Sequence, residues 1–174
     1  MKKTKTSLIK HSAYYLLDDR INGDTAKPLI EFIREHPGDL MIGIDSIGGS
    51  AHVAKFLTAI LNENSDRITL AAVCGVYSSA FEMFYRFRGK RIMTDGCRGM
   101  YHYGAIGCNI SENGKPFRGE DKCVKKNVVI EGEFTESIAK DVMNKKEFRR
   151  FKNNGDIYFS FNRMREIFPD AMII

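Results

Sequence analysis

The segment Ile68-Thr69-Leu70-Ala71-Ala72-Val73 runs directly into Cys74-Gly75-Val76-Tyr77-Ser78-Ser79-Ala80-Phe81-Glu82-Met83-Phe84. The first part is a short aliphatic run of the kind that forms a buried strand. From Ala80 onward the apolar residues take helical spacing, through Phe84 and Phe87 to a stop at Gly89-Lys90. A small-residue turn therefore links a buried strand to a helix, with a serine at the helix start. Such a hydroxyl either caps the free N–H groups of the first turn, or acts as a nucleophile whose attack product those N–H groups stabilise. Capping is the commoner use, so the choice rests on residues elsewhere in the chain.

Upstream, the same strand–helix alternation repeats. Ser12 to Leu17 is strand-like, Asp18 to Gly23 reads as a turn, and Thr25 to Glu35 is helical, with Leu29, Phe32 and Ile33 on one face and Thr25 as cap. His36-Pro37-Gly38-Asp39 breaks that helix. Leu40 to Asp45 is a second buried strand, followed by Ser46-Ile47-Gly48-Gly49-Ser50 and a helix striped by Val53, Phe56, Leu57, Ile60 and Leu61. Three successive strand–helix units imply parallel strands joined by right-handed crossovers. Downstream, Lys90 to Thr94 and Gly99 to Gly104 read as strands, and Asn109 to Asn127 as an exposed excursion. Thr135 to Lys152 reads as one charged helix, Asn153 to Asp156 as a turn, and Tyr158 to Ile167 as a final helix.

At 174 residues, 43% hydrophobic and 28% charged, the chain has the size and composition of one globular domain. A basic tail, residues 1–11, precedes a domain over 12–174. No apolar run approaches the roughly 18 residues needed to span a bilayer, and the tail lacks the apolar segment of a signal peptide; the expected location is cytoplasmic, with no membrane partner. The net charge of +5 is dispersed over several segments without a nucleic-acid-binding motif, so no nucleic-acid partner is expected. Cys74, Cys97, Cys108 and Cys123 form no Cys-x-x-Cys pair, and Cys97, His102, Cys108 and Cys123 match no common zinc spacing, so neither metal nor cofactor is expected.

Gly48-Gly49 directly after a strand suits either a phosphate or a close backbone approach to substrate, with an N–H aimed at an oxyanion. The chain has no Gly-x-Gly-x-x-Gly or Gly-Lys-Ser pattern, which disfavours a nucleotide. By themselves His102 on an apolar strand reads as a core histidine and Asp156 in Asn-Asn-Gly-Asp as a helix cap.

Four segments in order resemble the ClpP family, the proteolytic subunit of Clp proteases. Ser46-Ile47-Gly48-Gly49-Ser50 is similar to its Ser-Pro-Gly-Gly-Ser segment, and Gly75-Val76-Tyr77-Ser78-Ser79 to its Gly-x-Ala-Ala-Ser nucleophile turn. Arg98-Gly99-Met100-Tyr101-His102 is similar to its Arg-x-Met-Ile-His segment, and Asp156-Ile157-Tyr158-Phe159-Ser160 to its Asp-x-aromatic-apolar-Ser/Thr segment. The resemblance implies an α/β fold, a crotonase-like spiral of ββα units with a protruding handle at about 105–150. It implies Ser79 as nucleophile, His102 as general base and acid, Asp156 as the histidine's orienting partner, and the backbone N–H groups of Gly49 and Ala80 as the oxyanion hole. Ser78 is the rival nucleophile; the spacing from Gly75 favours Ser79. Histidine, with an ordinary pKa of about 6.5, suits proton transfer at neutral pH, and aspartate fixes its tautomer.

The function implied is that of a serine-type endopeptidase, cleaving unfolded proteins or short peptides through an acyl-enzyme. A homo-oligomeric ring is implied too, and an AAA+ ATPase unfoldase is left open as a partner. This chain departs from the family at Ile47, in place of a proline; at Phe81, in place of a glycine, which is expected to crowd the turn; and at Glu82, for which Arg86 is the expected charge partner. Its handle is charged and carries Pro116. The alternatives are a crotonase-type acyl-CoA enzyme, which shares the spiral but typically works through carboxylates, and a catalytically degenerate subunit acting only in assembly.

Overall fold

The computed structural model describes residues 11–103, 134–153 and 155–174. The excursion expected at 109–127, and most of the handle at 105–150, lie outside them. The elements are β1 (Ala13–Leu17), α1 (Gly23–Glu35), β2 (Leu40–Ser46), α2 (Ala51–Glu63), β3 (Ile68–Tyr77), α3 (Ser79–Arg86), β4 (Lys90–Met93) and β5 (Arg98–Tyr101), then α4 (134–142), α5 (Lys145–Lys152), β6 (Ile157–Phe159), α6 (Phe161–Ile167) and β7 (Met172–Ile173). The chain divides into two compact units, one running to Gly99 and resuming at Phe159–Ile174, the other Met100–Tyr158.

The first unit is α/β. Its strands lie in the order β1-β2-β3-β4-β7, every neighbouring pair parallel, as expected for consecutive strand–helix units. Tyr15 sits opposite Ile42, Ile42 opposite Leu70, and Ala71 opposite Ile92. Leu40, Ile42, Ile44, Leu57, Leu61 and Leu70 are wholly buried, each contributing about 1.5–3 kcal/mol relative to exposure. α2 packs against both α1 and α3.

Between β2 and β3 the register jumps: Ile44 faces Ala72, yet Ser46 faces Val76. β3 thus carries two extra residues there, and a bulge of this kind leaves ladder groups without strand partners. The carboxylate of Asp45 meets one of them, accepting from Gly75 N–H at 3.0 Å. This bulge lengthens β3 to Tyr77, so Cys74 to Tyr77 belong to the strand and the turn is confined to Ser78.

Several boundaries differ from the sequence expectation. Asn22, not Thr25, caps α1: its side chain accepts from the N–H groups of Asp24 and Thr25, and Thr25 Oγ1 accepts from Asn22 N–H in return. The charged helix expected over 135–152 is two helices. Asn144 caps α5 with Glu147 completing the box, which ends α4 and restarts the chain. Tyr158 lies on the short strand β6 rather than a helix, and α6 begins after the cap Ser160. β7 is an added edge strand, and the N–H of Ile174, just after it, donates to Met93 O at 3.1 Å.

Phe81 does not crowd the serine turn. It is wholly buried, its ring 5.1 Å from that of Phe159 and 5.8 Å from that of Phe168. Phe84 meets Phe168 edge-on at 5.0 Å. The ring points into an aromatic core, where such pairs add about 0.5–1.5 kcal/mol beyond burial.

Candidate active site

Two turns of the first unit converge on one another. β2 ends at Ser46, whose hydroxyl donates to Asp19 O at 2.6 Å and accepts from Gly48 N–H at 3.1 Å. Gly48 follows at φ +88°, a value that L side chains rarely adopt. A Cβ there would come within 2.8 Å of Ser78 Cβ and 2.9 Å of Ser79 N. Gly48 therefore lies directly on the serine turn. Gly49 uses its missing side chain differently: the backbone of Ile21 fills that space. Ile21 N–H donates to Gly48 O at 3.0 Å and Ser50 N–H to Ile21 O at 2.8 Å. The close approach expected of a substrate at Gly49 is thus made, at that Cβ position, by the chain itself.

On the serine turn, Ser78 has φ 55° and ψ −122° and is the single non-glycine with positive φ among the described residues. Its carbonyl accepts from Glu82 N–H at 3.1 Å, so Ser78 is the N-cap position and Ser79 the first helical residue. The capping use of a serine here fails on geometry, because the Ser78 side chain makes no capping hydrogen bond. Ser79 is 5% accessible, and its Oγ meets no hydrogen-bond partner among the described residues. Ala80, the second residue of the helix, holds one of the N–H groups that an α-helix leaves without internal partners. Glu82 is buried, with Arg86 Nε 4.0 Å from its carboxylate, as the i,i+4 spacing predicts.

The second unit holds the histidine and the aspartate. β5 and β6 pair with each other; His102 follows β5 and Asp156 precedes β6, so the pairing brings together residues 54 apart in sequence. His102 Nδ1 lies 3.2 Å from Asp156 Oδ1. An ionised carboxylate only accepts, so Nδ1 carries the proton, and Nε2 is left as the ring's acceptor when the imidazole is neutral. Asp156 is therefore no helix cap, and His102 is no core histidine: its side chain is 32% accessible and that of Asp156 47%.

Four residues not singled out from the sequence hold this histidine's surroundings. Tyr103 O–H donates to the Glu136 carboxylate, and Lys152 Nζ donates to the same oxygen. These bonds hold the Glu136 carboxyl below the usual carboxylate range, Lys152 contributing most. Burial, then the bond to Glu136, raises the Tyr103 hydroxyl. Phe151 stacks on Tyr101 at 5.9 Å and on Tyr103 at 4.5 Å, so α5 clamps the chain on both sides of His102. Glu136 and Lys152 sit in a run whose composition reads as a solvated charged face. Their spacing, across two helices, carries no local signal.

Elsewhere in the first unit, Cys97 is fully buried, and burial, with the nearby Cys74 and Asp45, pushes its thiol up to about 12. Cys108 and Cys123 lie outside the described residues. Among the described residues no three His, Cys, Asp or Glu side chains cluster to hold a metal ion, and no helix is long and apolar enough to cross a membrane. No protein-family model matches the chain, and no curated protein matches it.

Proposed function

We propose that the chain is a serine-type endopeptidase of the ClpP-like kind, acting on unfolded or short peptides through an acyl-enzyme. The observation that carries this is the His102–Asp156 hydrogen bond, which places a carboxylate on Nδ1 of a partly accessible imidazole and so fixes its tautomer. A serine turn without a capping bond and a positive-φ glycine against it support the same chemistry. The sequence resemblance assigns Ser79 as nucleophile, His102 as base and then acid, Asp156 as the orienting partner, and Gly49 and Ala80 N–H as oxyanion donors. A seryl hydroxyl is a weak nucleophile until a base takes its proton. The developing oxyanion then needs fixed N–H donors, each typically worth about 3–4 kcal/mol.

The parallel sheet with its helices is compatible with the crotonase-like spiral, which is the finer fold proposed. A homo-oligomeric ring is proposed with it, on the strength of the sequence resemblance. An AAA+ unfoldase is the partner class such a ring would take.

The test is incubation with a fluorophosphonate and, separately, with fluorogenic peptides. The expected results are an adduct within the tryptic peptide Ile68–Arg86 and peptide cleavage, both lost in His102→Ala. Absence of adduct and cleavage in a folded, assembled preparation would sink the proposal.

A further inference from the structure

The serine turn holds two hydroxyls, and their surroundings differ sharply. We infer that Ser78, not Ser79, is the nucleophile; the inference rests on the serine-peptidase proposal and changes the residue that carries it. Ser78 stands at the corner between β3 and α3, at φ 55° and ψ −122°, a conformation that side-chain-bearing residues rarely adopt and that recurs at functional sites. A sharp, strained strand-to-helix turn is the device that presents a nucleophilic serine above a sheet. The strain at Ser78 serves no capping bond. Ser78 is half-buried, whereas Ser79 is 5% accessible with its Oγ enclosed. A carbonyl carbon must come within bonding range of the attacking oxygen, and the packing around Ser79 Oγ leaves it no approach without repacking of the helix start.

Gly48 completes the contrast. It packs on the corner itself: a Cβ there would meet Tyr77 O at 2.5 Å, Ser78 Cβ at 2.8 Å and the Ser79 nitrogen at 2.9 Å, so Ser78 and the nitrogen of the residue after it border the same glycine. That is the arrangement in which the residue following the nucleophile supplies an oxyanion donor. Ser79 then contributes its backbone N–H rather than its side chain. Gly48 N–H is taken by Ser46 Oγ, which keeps Gly49 as the glycine donor.

In the acylation step Ser78 Oγ bonds to the substrate carbonyl carbon and its proton passes to the general base, the role that the proposed function gives His102. The C–N bond breaks, the same proton goes to the leaving amine, and an ester on Ser78 remains. Water then attacks that ester, giving a proton to His102 that returns to Ser78 Oγ as the carboxylic product leaves.

Peptide mapping by mass spectrometry of the fluorophosphonate-treated wild-type chain decides the matter, because it needs no variant to fold. The expected adduct is on Ser78. In Ser78→Gly labelling is expected to fall at least 100-fold while the thermal midpoint holds or rises, since glycine accepts the positive φ without strain. An adduct on Ser79, or labelling that persists in Ser78→Gly, overturns the inference and leaves the serine-peptidase proposal standing. A wild-type chain that neither takes the label nor cleaves peptide overturns both.

Discussion

Gly99 lies against Phe81: a Cβ at position 99 would come within 3.1 Å of Phe81 Cδ2 and 2.6 Å of Met164 Sδ. The glycine in Arg98-Gly99-Met100 thus makes room for the phenylalanine that follows the serine turn. Two residues that look independent in the sequence form one packing solution. Gly99→Val should destabilise the fold by about 1–3 kcal/mol through overpacking. Phe81→Leu should recover part of that loss, although alone it leaves unfilled space. Urea unfolding of both single variants and the double variant measures the coupling. Effects that add to within about 0.3 kcal/mol would mean the two sites are independent.

Glu136 ties α4 to Lys152 of α5 and to Tyr103 beside His102. Its carboxyl is held low in the folded protein by the bonds from Lys152 and Tyr103. A depressed folded value means the stabilisation is present above the ordinary glutamate range and is lost as pH falls through the folded value. Between about pH 6 and about pH 3 the wild type should therefore lose more stability than Glu136→Gln, which cannot titrate. Denaturant midpoints along that pH series read the difference. Parallel curves for the two proteins would show that the contact does not contribute.

The strand–helix alternation was legible because each of β1, β2 and β3 is a short apolar run set between turn residues, and length with flanking turn residues, rather than period, separates such runs from helices. The Ser46–Ser50 and Ser78–Ser79 turns were legible as candidate sites for the same reason: small residues follow buried strands. What composition does not carry is backbone torsion. Ser78 and Ser79 are chemically identical, and only φ and burial distinguish them. The break at Asn144 was hidden because Lys145, Lys146 and Glu147 continue the helical pattern, although Asn-x-x-Glu is a capping signature. β6 and β7, at three and two residues, are too short for any periodicity.

Arg67 holds the end of α1 in place. Its guanidinium donates to the carbonyls of Ile33 at 3.0 Å, His36 at 2.7 Å and Gly38 at 3.1 Å. These are carbonyls at a helix C-terminus and in the loop before β2, where a cation also meets the helix dipole favourably. Arg67→Ala should cost about 1–3 kcal/mol. Arg67→Lys should recover less than half, because one ammonium cannot reproduce a planar fork. Chemical denaturation of both variants checks the order. Equal stability of Lys and wild type would reduce the fork to a charge.

Cys74 and Cys97 should differ in reactivity. Cys74 is exposed, while Cys97 is enclosed and its thiol is raised to about 12, chiefly by burial. At pH 8 roughly one Cys97 in ten thousand would be thiolate even if reagent reached it. Iodoacetamide with peptide mapping should alkylate Cys74 long before Cys97, and denaturant should erase the gap. Rapid modification of Cys97 in the folded protein would contradict its burial.

Under the proposed peptidase function, Asp156 and His102 separate stability from catalysis. Both side chains are partly accessible, at 47% and 32%, and an ion pair at such a surface contributes at most about 1 kcal/mol to folding. Its effect on the imidazole is larger, because the carboxylate decides which nitrogen carries the proton. In Asp156→Asn the amide can instead donate to Nδ1, which moves the ring proton to Nε2 and removes the acceptor that the seryl hydroxyl requires. Peptidase kcat/KM should then fall by about 10²–10⁴ with the thermal midpoint nearly unchanged. Asp156→Glu, which keeps an acceptor carboxylate, should retain more activity than Asp156→Asn. A variant that loses activity only in proportion to lost folded protein would make Asp156 a structural residue. Full activity in Asp156→Asn would remove it from the site altogether.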